Sequence, residues 1–169
     1  PHLDYARDMF LFSFYTRGMS FIDMAYLKKS DLKNGVIIYR RRKTGQQLTI
    51  KWEKCMEDII SKYDGCSTTQ YLLPIITNPC ADERTQYRNA ISRINVALKE
   101  VARLAGLNMP LTMHCARHCW ASIAKSKNIP LSVISEGMGH DSEETTRIYL
   151  ASLDTNVVDK ANSLILKDL

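Results

Sequence analysis

Two short segments, 36–40 and 47–52, hold β-branched or alternating residues and flank the sequence Lys43-Thr44-Gly45. Alternation has the period of a strand and glycine favours a tight turn, so they predict a β-hairpin that carries Lys43. Elsewhere apolar residues recur at helical spacing, most clearly over 86–105 before Gly106. Shorter helices are predicted over 5–15, 21–27, 52–62, 131–138 and 153–169. The predicted fold is mainly α with a small antiparallel β-sheet.

Two further helices carry the residues of greatest chemical interest. Pro110 and Leu111 precede Thr112, a suitable N-cap for a helix that contains His114 and Arg117. Asp141 and the polar residues after it are typical of the start of a second helix, about two turns before Tyr149.

The composition fits one ordinary domain with a basic surface. The chain has 169 residues, 45% of them hydrophobic, and a formal net charge of +5, which suits a polyanionic partner such as nucleic acid. Its five cysteines, an odd number, and the lack of an apolar run of about 18 residues favour a reduced, cytoplasmic setting. We therefore expect a single domain over 1–169.

Three short sequence motifs near the end of the chain supply a set of groups suited to phosphodiester chemistry. His114 and Arg117 are three residues apart and share a helix face, Gly139-His140 follows, and Tyr149 comes nine residues after His140. An arginine and imidazoles can hold a phosphate while the phenol attacks it. The phenol needs such help, because its ordinary pKa of about 10 keeps it protonated at neutral pH.

A zinc site is the main alternative for the cluster of His114, Cys115, His118 and Cys119. Four ligands so crowded on one helix cannot converge tetrahedrally on one ion, so we predict no metal and no other cofactor. The two cysteines are instead expected to pack as small apolar residues, and His118 to support its helix.

The three motifs around His114, His140 and Tyr149, in this order, resemble those of the C-terminal catalytic domain of the tyrosine recombinases, or phage-type integrases. The resemblance covers nearly the whole chain. Its segments are Arg17-Gly18-Met19-Ser20-Phe21-Ile22-Asp23-Met24-Ala25-Tyr26-Leu27, Arg42-Lys43-Thr44-Gly45, His114-x-x-Arg117-His118, Met138-Gly139-His140 and Thr146-Arg147-Ile148-Tyr149. A chance H-x-x-R is common, but the last three motifs at this spacing are not.

The chain departs from the family pattern at one position. Most members have a T-G-L-R-x-S-E-L motif whose arginine binds the phosphate, and Ser20 occupies that arginine's place here. The variant resembles integrases of Bacteroides-type mobile elements. Arg17, three residues earlier, has the reach to serve the same phosphate and is the predicted substitute, ahead of Arg7.

The resemblance implies a role for each matching residue. It implies that Tyr149 is the nucleophile, that Arg117, His114 and Arg17 hold the phosphate, and that His140 holds either the phosphate or the tyrosine. It also implies that Lys43 protonates the leaving 5′-oxygen and that His114 assists deprotonation of the tyrosine. Basic residues expected to contact the DNA backbone are Arg40, Arg41, Arg42 and Arg147.

The implied protein is a site-specific recombinase that forms a 3′-phosphotyrosyl intermediate without metal or ATP. Its expected partners are double-stranded DNA, further copies in a homotetramer on DNA, and DNA-bending accessory proteins; its expected location is the bacterial cytoplasm, at the nucleoid. A helical core-binding domain is expected upstream, and the 153–169 helix docks on a neighbouring subunit or on its own domain. A type IB topoisomerase and a non-catalytic DNA-binding module remain open as alternatives.

Overall fold

The computed structural model describes residues 2–66 and 68–153 and confirms a mainly helical fold with a small antiparallel sheet. Its helices are α1 (His2–Tyr15), α2 (Phe21–Ala25), α3 (Lys54–Ile60), α4 (Glu83–Leu104), α5 (Met113–Ser126), α6 (Leu131–Met138) and α7 (Glu143–Leu153). Its strands are β1 (Leu32–Lys33), β2 (Val36–Arg40) and β3 (Gln47–Lys51), and short 3-10 helices span Lys29–Asp31 and Ser61–Tyr63.

The sheet has one more strand than the sequence predicts. Strands β2 and β3 pair from Val36↔Lys51 to Arg40↔Gln47, which confirms the hairpin, and Lys43 lies in the loop between them. The unexpected strand β1 pairs with β2 across Asn34-Gly35. These two residues have φ of 51° and 73°, as a two-residue hairpin turn requires. The sequence predicts this turn, but the strand before it is too short to be recognised.

Several helix boundaries differ from the predicted ones by a few residues. Helix α4 begins three residues before the predicted start, because the Asp82 carboxylate accepts a hydrogen bond of 2.7 Å from the Thr85 amide and caps it. Helix α2 ends at Ala25, two residues early. Helix α6 and the Thr112 cap of α5 are as predicted, and Tyr149 lies about two turns into α7. The prediction for 153–169 falls outside the described residues, apart from Leu153.

Two hydrophobic clusters form the core. The larger joins α1, α2, α4 and the sheet, with Phe12, Ile37 and Leu98 fully or almost fully buried. The smaller lies among α5, α6 and α7 around Ala121 and Met138. Because α5 contributes to both clusters and packs against α1, it fixes the three C-terminal helices on the rest of the fold. Within the described residues, no helix combines the length and apolar character needed to cross a membrane.

The end of α1 touches α5 at Arg117. Arg17 and Gly18 have φ of 62° and 73°, and the Gly18 amide donates to the Ser13 carbonyl at 2.8 Å, which closes the helix. A Cβ on Gly18 would lie 2.7 Å from the Cα of Arg117. Only glycine therefore allows both this backbone conformation and this close approach.

We expect Gly18→Ala to destabilise the fold more than Gly35→Ala. Both positions have φ of 73°, but a Cβ on Gly35 meets nothing within 4 Å. The control thus measures backbone strain alone, about 1 kcal/mol, whereas Gly18→Ala adds a clash that should bring the loss above about 3 kcal/mol. Urea denaturation of both variants measures the difference; equal losses would contradict the packing argument.

Candidate active site

Arg117 lies at the centre of the site and is almost completely buried, with 7% of its surface exposed. Its Nη1 donates to the Gly18 carbonyl at 2.9 Å, and its Nη2 donates to the Met138 carbonyl at 2.8 Å. Gly18 lies three residues after the end of α1 and Met138 is the last residue of α6, so the guanidinium joins three segments. Burial, followed by the positive charge of Arg41, lowers the pKa of Arg117 to about 10, which leaves it charged at neutral pH.

Arg41 is the second buried cation, with 6% of its surface exposed. It follows β2, and its Nη1 donates to the Gly139 carbonyl. Gly139 ends α6 with a φ of 63°, and a Cβ there would lie 2.7 Å from the Arg41 Cδ. From the sequence, Arg41 is expected to contact the DNA backbone together with Arg40 and Arg42. In the structure its side chain is buried, because the alternation of β2 continues and turns Arg41 inward.

His140 lies between Arg117 and Tyr149. Its Nε2 is 3.1 Å from the Arg117 Nη2, which can only donate, so Nε2 accepts and Nδ1 carries the proton. Nδ1 lies 2.7 Å from the hydroxyl of Thr146, which is fully buried. Burial, then the charges of Arg117, Arg41 and Lys43, lower the pKa of His140 to about 4. His140 is therefore a neutral, fixed imidazole at physiological pH.

Tyr149 makes its shortest polar contact with His118. The phenol oxygen is 2.5 Å from His118 Nδ1, and the two rings stack with centroids 5.3 Å apart and planes 24° apart. The ring of His140 contacts the phenol from another side, at a centroid distance of 5.6 Å. Burial raises the pKa of Tyr149 to about 12, although the positive charge of Arg117 opposes the shift.

His114 and Lys43 lie on the open side of the site. The exposed ring of His114 meets His118 edge-on, with centroids 4.3 Å apart. Partial burial, followed by the charges of Arg117 and Lys43, lowers the pKa of His114. Lys43 is exposed on the hairpin loop and is close enough to lower the pKa of both His114 and His140. A cavity of about 300 Å³ is lined by Ser20, His114 and Arg117 together with residues of α2 and α4.

Ser20 has a structural role where the family has an arginine. It caps α2 by accepting from the Asp23 amide at 3.4 Å, and its hydroxyl donates to the Asp23 carboxylate at 2.6 Å. The other oxygen of the buried Asp23 accepts from the Arg42 amide at 2.9 Å, which ties the hairpin loop to α2.

Arg17 is half-buried and lies along α6. Its Cδ is 3.7 Å from the position a Cβ on Gly137 would take, beside the ring of Trp120. The charges of Arg41, Arg117 and Arg17 all act on the phenol of Tyr39, so Arg17 belongs to the same group of cations.

The remaining predicted DNA-binding residues are exposed. Arg40 Nη1 donates to the Gly45 carbonyl at 3.2 Å, and the Arg42 guanidinium lies 3.6 Å from the ring centroid of Tyr26. Arg147 pairs with Glu144 at 3.3 Å. Among the described residues, no group of three or more His, Cys, Asp or Glu is placed to hold a metal ion.

A model of the phage integrase family matches residues 4–156, and the chain belongs to this family. The search of curated proteins returned no significant match. The fold is that of the tyrosine recombinase catalytic domain, as three solved structures indicate. XerA recombinase has a TM-score of 0.56 at 18% identity, over 90% of this chain and 63% of that one.

The other two structures are DNA complexes. XerH site-specific recombinase bound to difH substrate, a pre-cleavage complex, has a TM-score of 0.63 at 20% identity, over 94% of this chain and 46% of that one. The lambda integrase dimer bound to a COC' core site, in its 75–356 form, has a TM-score of 0.61 at 17% identity, over 86% and 51%. The chain thus spans about half to two thirds of the length of these structures.

The structure brings together the predicted residues Arg117, His114, His140 and Tyr149, with Lys43 at the rim. The sequence analysis misses three further contacts: His118 on the phenol, Thr146 on His140, and Arg41 on the turn before His140. The four-residue spacing of His114 and His118 would have put His118 on the same helix face. No sequence signal pairs Thr146 with His140.

We expect acid to destabilise the wild-type chain more steeply than His140→Asn. The folded state keeps the pKa of His140 near 4 whereas the unfolded chain restores it to about 6.5, so stability present above pH 6.5 is lost as the pH falls towards 4. Asparagine cannot titrate, so the variant should be less pH-dependent by at most about 1.4 kcal/mol per pH unit. Urea denaturation between pH 7 and 4.5 measures both curves; parallel curves would contradict a neutral, half-buried His140.

Proposed function

We propose that this chain is the catalytic part of a site-specific DNA recombinase that cleaves and rejoins DNA through a 3′-phosphotyrosyl intermediate. The observation that carries the proposal is one cluster of side chains, in which the Tyr149 phenol contacts the imidazoles of His118 and His140, and His140 contacts the buried Arg117. A buried cation pair, with an aromatic nucleophile beside it, is suited to an anionic substrate. The likeness to recombinases solved with DNA supports double-stranded DNA as that substrate.

In this proposal Arg117 is the principal phosphate ligand. Three N–H bonds of its guanidinium are directed at described partners, Gly18, Met138 and His140, which leaves others for phosphate oxygens. Because those partners fix the group before substrate arrives, it stabilises the developing charge without reorganisation. A phosphate would also relieve the repulsion between Arg117 and Arg41.

Arg41 and Arg17 are the candidates for the cation that Ser20 does not provide. Arg41 is the stronger one, because it is buried, fixed to the Gly139 carbonyl, and close enough to lower the pKa of Arg117. Arg17 remains a candidate through its position beside α6. Because Ser20 takes the place of the family's first arginine, we also propose that this chain belongs among the integrases of Bacteroides-type mobile elements.

Lys43 is proposed as the general acid. It is exposed on the hairpin loop and acts electrostatically on His114 and His140, so it lies at the edge of the pocket where a leaving 5′-oxygen would emerge. The covalent link conserves the energy of the phosphodiester bond, and a 5′-hydroxyl of a partner strand reverses the step. The reaction therefore uses neither ATP nor a metal ion.

The remaining partners follow from the same proposal. Exposed Arg40, Arg42 and Arg147 contact phosphates that flank the cleaved one. Synapsis of two DNA sites requires four copies, so the working form is a homotetramer on DNA, assisted by proteins that bend the DNA. An upstream core-binding domain completes the DNA clamp, and the segment 153–169 joins neighbouring copies. The location is the bacterial cytoplasm, at the nucleoid.

Tyr149→Phe is expected to abolish covalent DNA attachment while DNA binding persists, because only the phenol oxygen is lost. Adducts are captured on duplexes with a randomised core and a nick that lets the cleaved piece diffuse away, then resolved under denaturing conditions. Tyr5→Phe is the matched control, since it also loses one phenol hydrogen bond, 3.1 Å to the Pro74 carbonyl, in another part of the fold. Adducts formed by Tyr149→Phe would refute the assignment.

Arg41→Ala is expected to slow single-turnover cleavage by about a hundredfold, because a lost guanidinium costs about 3 kcal/mol of transition-state stabilisation. Arg17→Ala should slow it by at least about tenfold, and Ser20→Ala should have a mild effect. Arg40→Ala is the control, an exposed neighbour that should weaken binding without changing the rate at saturating DNA. Thermal unfolding and Arg41→Lys separate folding from chemistry. A larger loss for Arg17 than for Arg41 would make Arg17 the substitute.

A further inference from the structure

The sequence assigns deprotonation of Tyr149 to His114, but the structure puts a different imidazole on the phenol. His118 Nδ1 is 2.5 Å from the Tyr149 oxygen, and the rings lie nearly parallel. The two residues come from α5 and α7, so this contact is made by the packing of two helices. His118 is half-buried, which protects the contact from bulk water without closing it.

The direction of the hydrogen bond follows from the protonation states. Burial raises the pKa of Tyr149 to about 12, so the phenol carries its proton at neutral pH. Burial, followed by His114 and the charge of Arg117, lowers the pKa of His118, so its imidazole is neutral. The phenol therefore donates to Nδ1, and the His118 proton resides on Nε2. A neutral imidazole that accepts from the nucleophile is the arrangement of a general base.

The other two imidazoles are less well placed to take this proton. Both ring nitrogens of His140 are engaged, one by Arg117 and the other by Thr146. His114 contacts the ring of His118 edge-on rather than the phenol, and its exposed position faces the open side of the pocket. His114 is thus available to a phosphate oxygen.

We propose that His118 is the general base for Tyr149, an assignment that rests on the proposed recombinase function. As the phenol oxygen forms its bond to phosphorus, its proton moves to His118 Nδ1, and the bond from phosphorus to the 5′-oxygen breaks. The 5′-oxygen takes its proton from Lys43. On rejoining, the 5′-hydroxyl gives its proton back to Lys43 as its oxygen attacks phosphorus. The bond from phosphorus to the phenol oxygen breaks, and His118 returns its proton to that phenol oxygen. Negative charge on the bound phosphate offsets the imidazolium formed near Arg117.

The test compares His118→Ala and His118→Gln with the wild-type chain in single-turnover adduct formation. Two substrates are used, an ordinary nicked duplex selected from the randomised library and the same duplex with a 5′-bridging phosphorothiolate, whose sulfur leaves without protonation. The two variants separate a hydrogen bond from proton transfer, because glutamine accepts a hydrogen bond but cannot take the proton. Lys43→Ala and His114→Ala are the controls.

We expect both His118 variants to be slowed by about a hundredfold on both substrates, since nucleophile activation is common to them. The phosphorothiolate should restore the cleavage rate of Lys43→Ala, because that variant lacks only the protonation of the leaving group. It should not restore the rate of the His118 variants. The cleavage rates of the His118 variants should rise about tenfold per pH unit from pH 7 to 9, because the fraction of Tyr149 present as phenoxide grows. The wild-type rate should stay level over the same range. His114→Ala should keep the level pH profile.

Three results would overturn the assignment: His118→Gln within about threefold of wild type, restoration of His118→Ala by the phosphorothiolate, or a faster His118→Ala. A faster His118→Ala would mean that the hydrogen bond from Tyr149 to His118 inhibits attack by the phenol. If the wild-type chain itself gave no adduct while Tyr149→Phe bound DNA equally well, the proposed function would fail, and this proposal with it. Thermal unfolding of His118→Gln checks that the packing of α5 on α7 is intact.

Discussion

The structure depends on one buried guanidinium. A charge removed from water is costly unless its hydrogen bonds are replaced, and Arg117 recovers them from the carbonyls of Gly18 and Met138. The Gly18 carbonyl belongs to the turn of positive φ that follows α1, and the Met138 carbonyl belongs to the last residue of α6, just before Gly139 with its positive φ. The ends of two helices and the side chain of a third are therefore fixed by a single group, which is also the group that best suits a phosphate.

Two buried arginines so close together make a site that favours anions. Arg41 lowers the pKa of Arg117, and the buried carboxylate of Asp23 raises it and so offsets part of the repulsion. Asp23 also accepts from the Arg42 amide, so the counter-charge is tied to the loop that carries Lys43. Stability alone would not favour such a cluster. In the proposed function a bound phosphate supplies the missing negative charge, which links the cost of burying the cations to their use.

The three imidazoles of the site share one property and differ in their contacts. Burial is the largest cause of the lowered pKa of His114, His118 and His140, so all three can be neutral at physiological pH. Hydrogen bonds then separate them: His140 is held by Arg117 and Thr146, His118 meets the phenol, and His114 faces the opening. In the mechanism proposed above, the same residue type thus serves both phosphate binding and proton transfer within one site.

The sequence by itself determined the helices, the central hairpin and the identity of the main catalytic candidates. Periodicity is a local property, and H-x-x-R fixes a shared helix face, so α6 and the positions of Arg117 and Tyr149 on their helices followed directly. Strand β1 was missed because two residues carry no periodicity. Only the tertiary structure decided that Arg41 reaches the Gly139 carbonyl, that Thr146 holds His140, and that His118 meets Tyr149. Each of these contacts joins two segments of the chain that the packing of the fold brings together. A local sequence pattern carries no information about that packing.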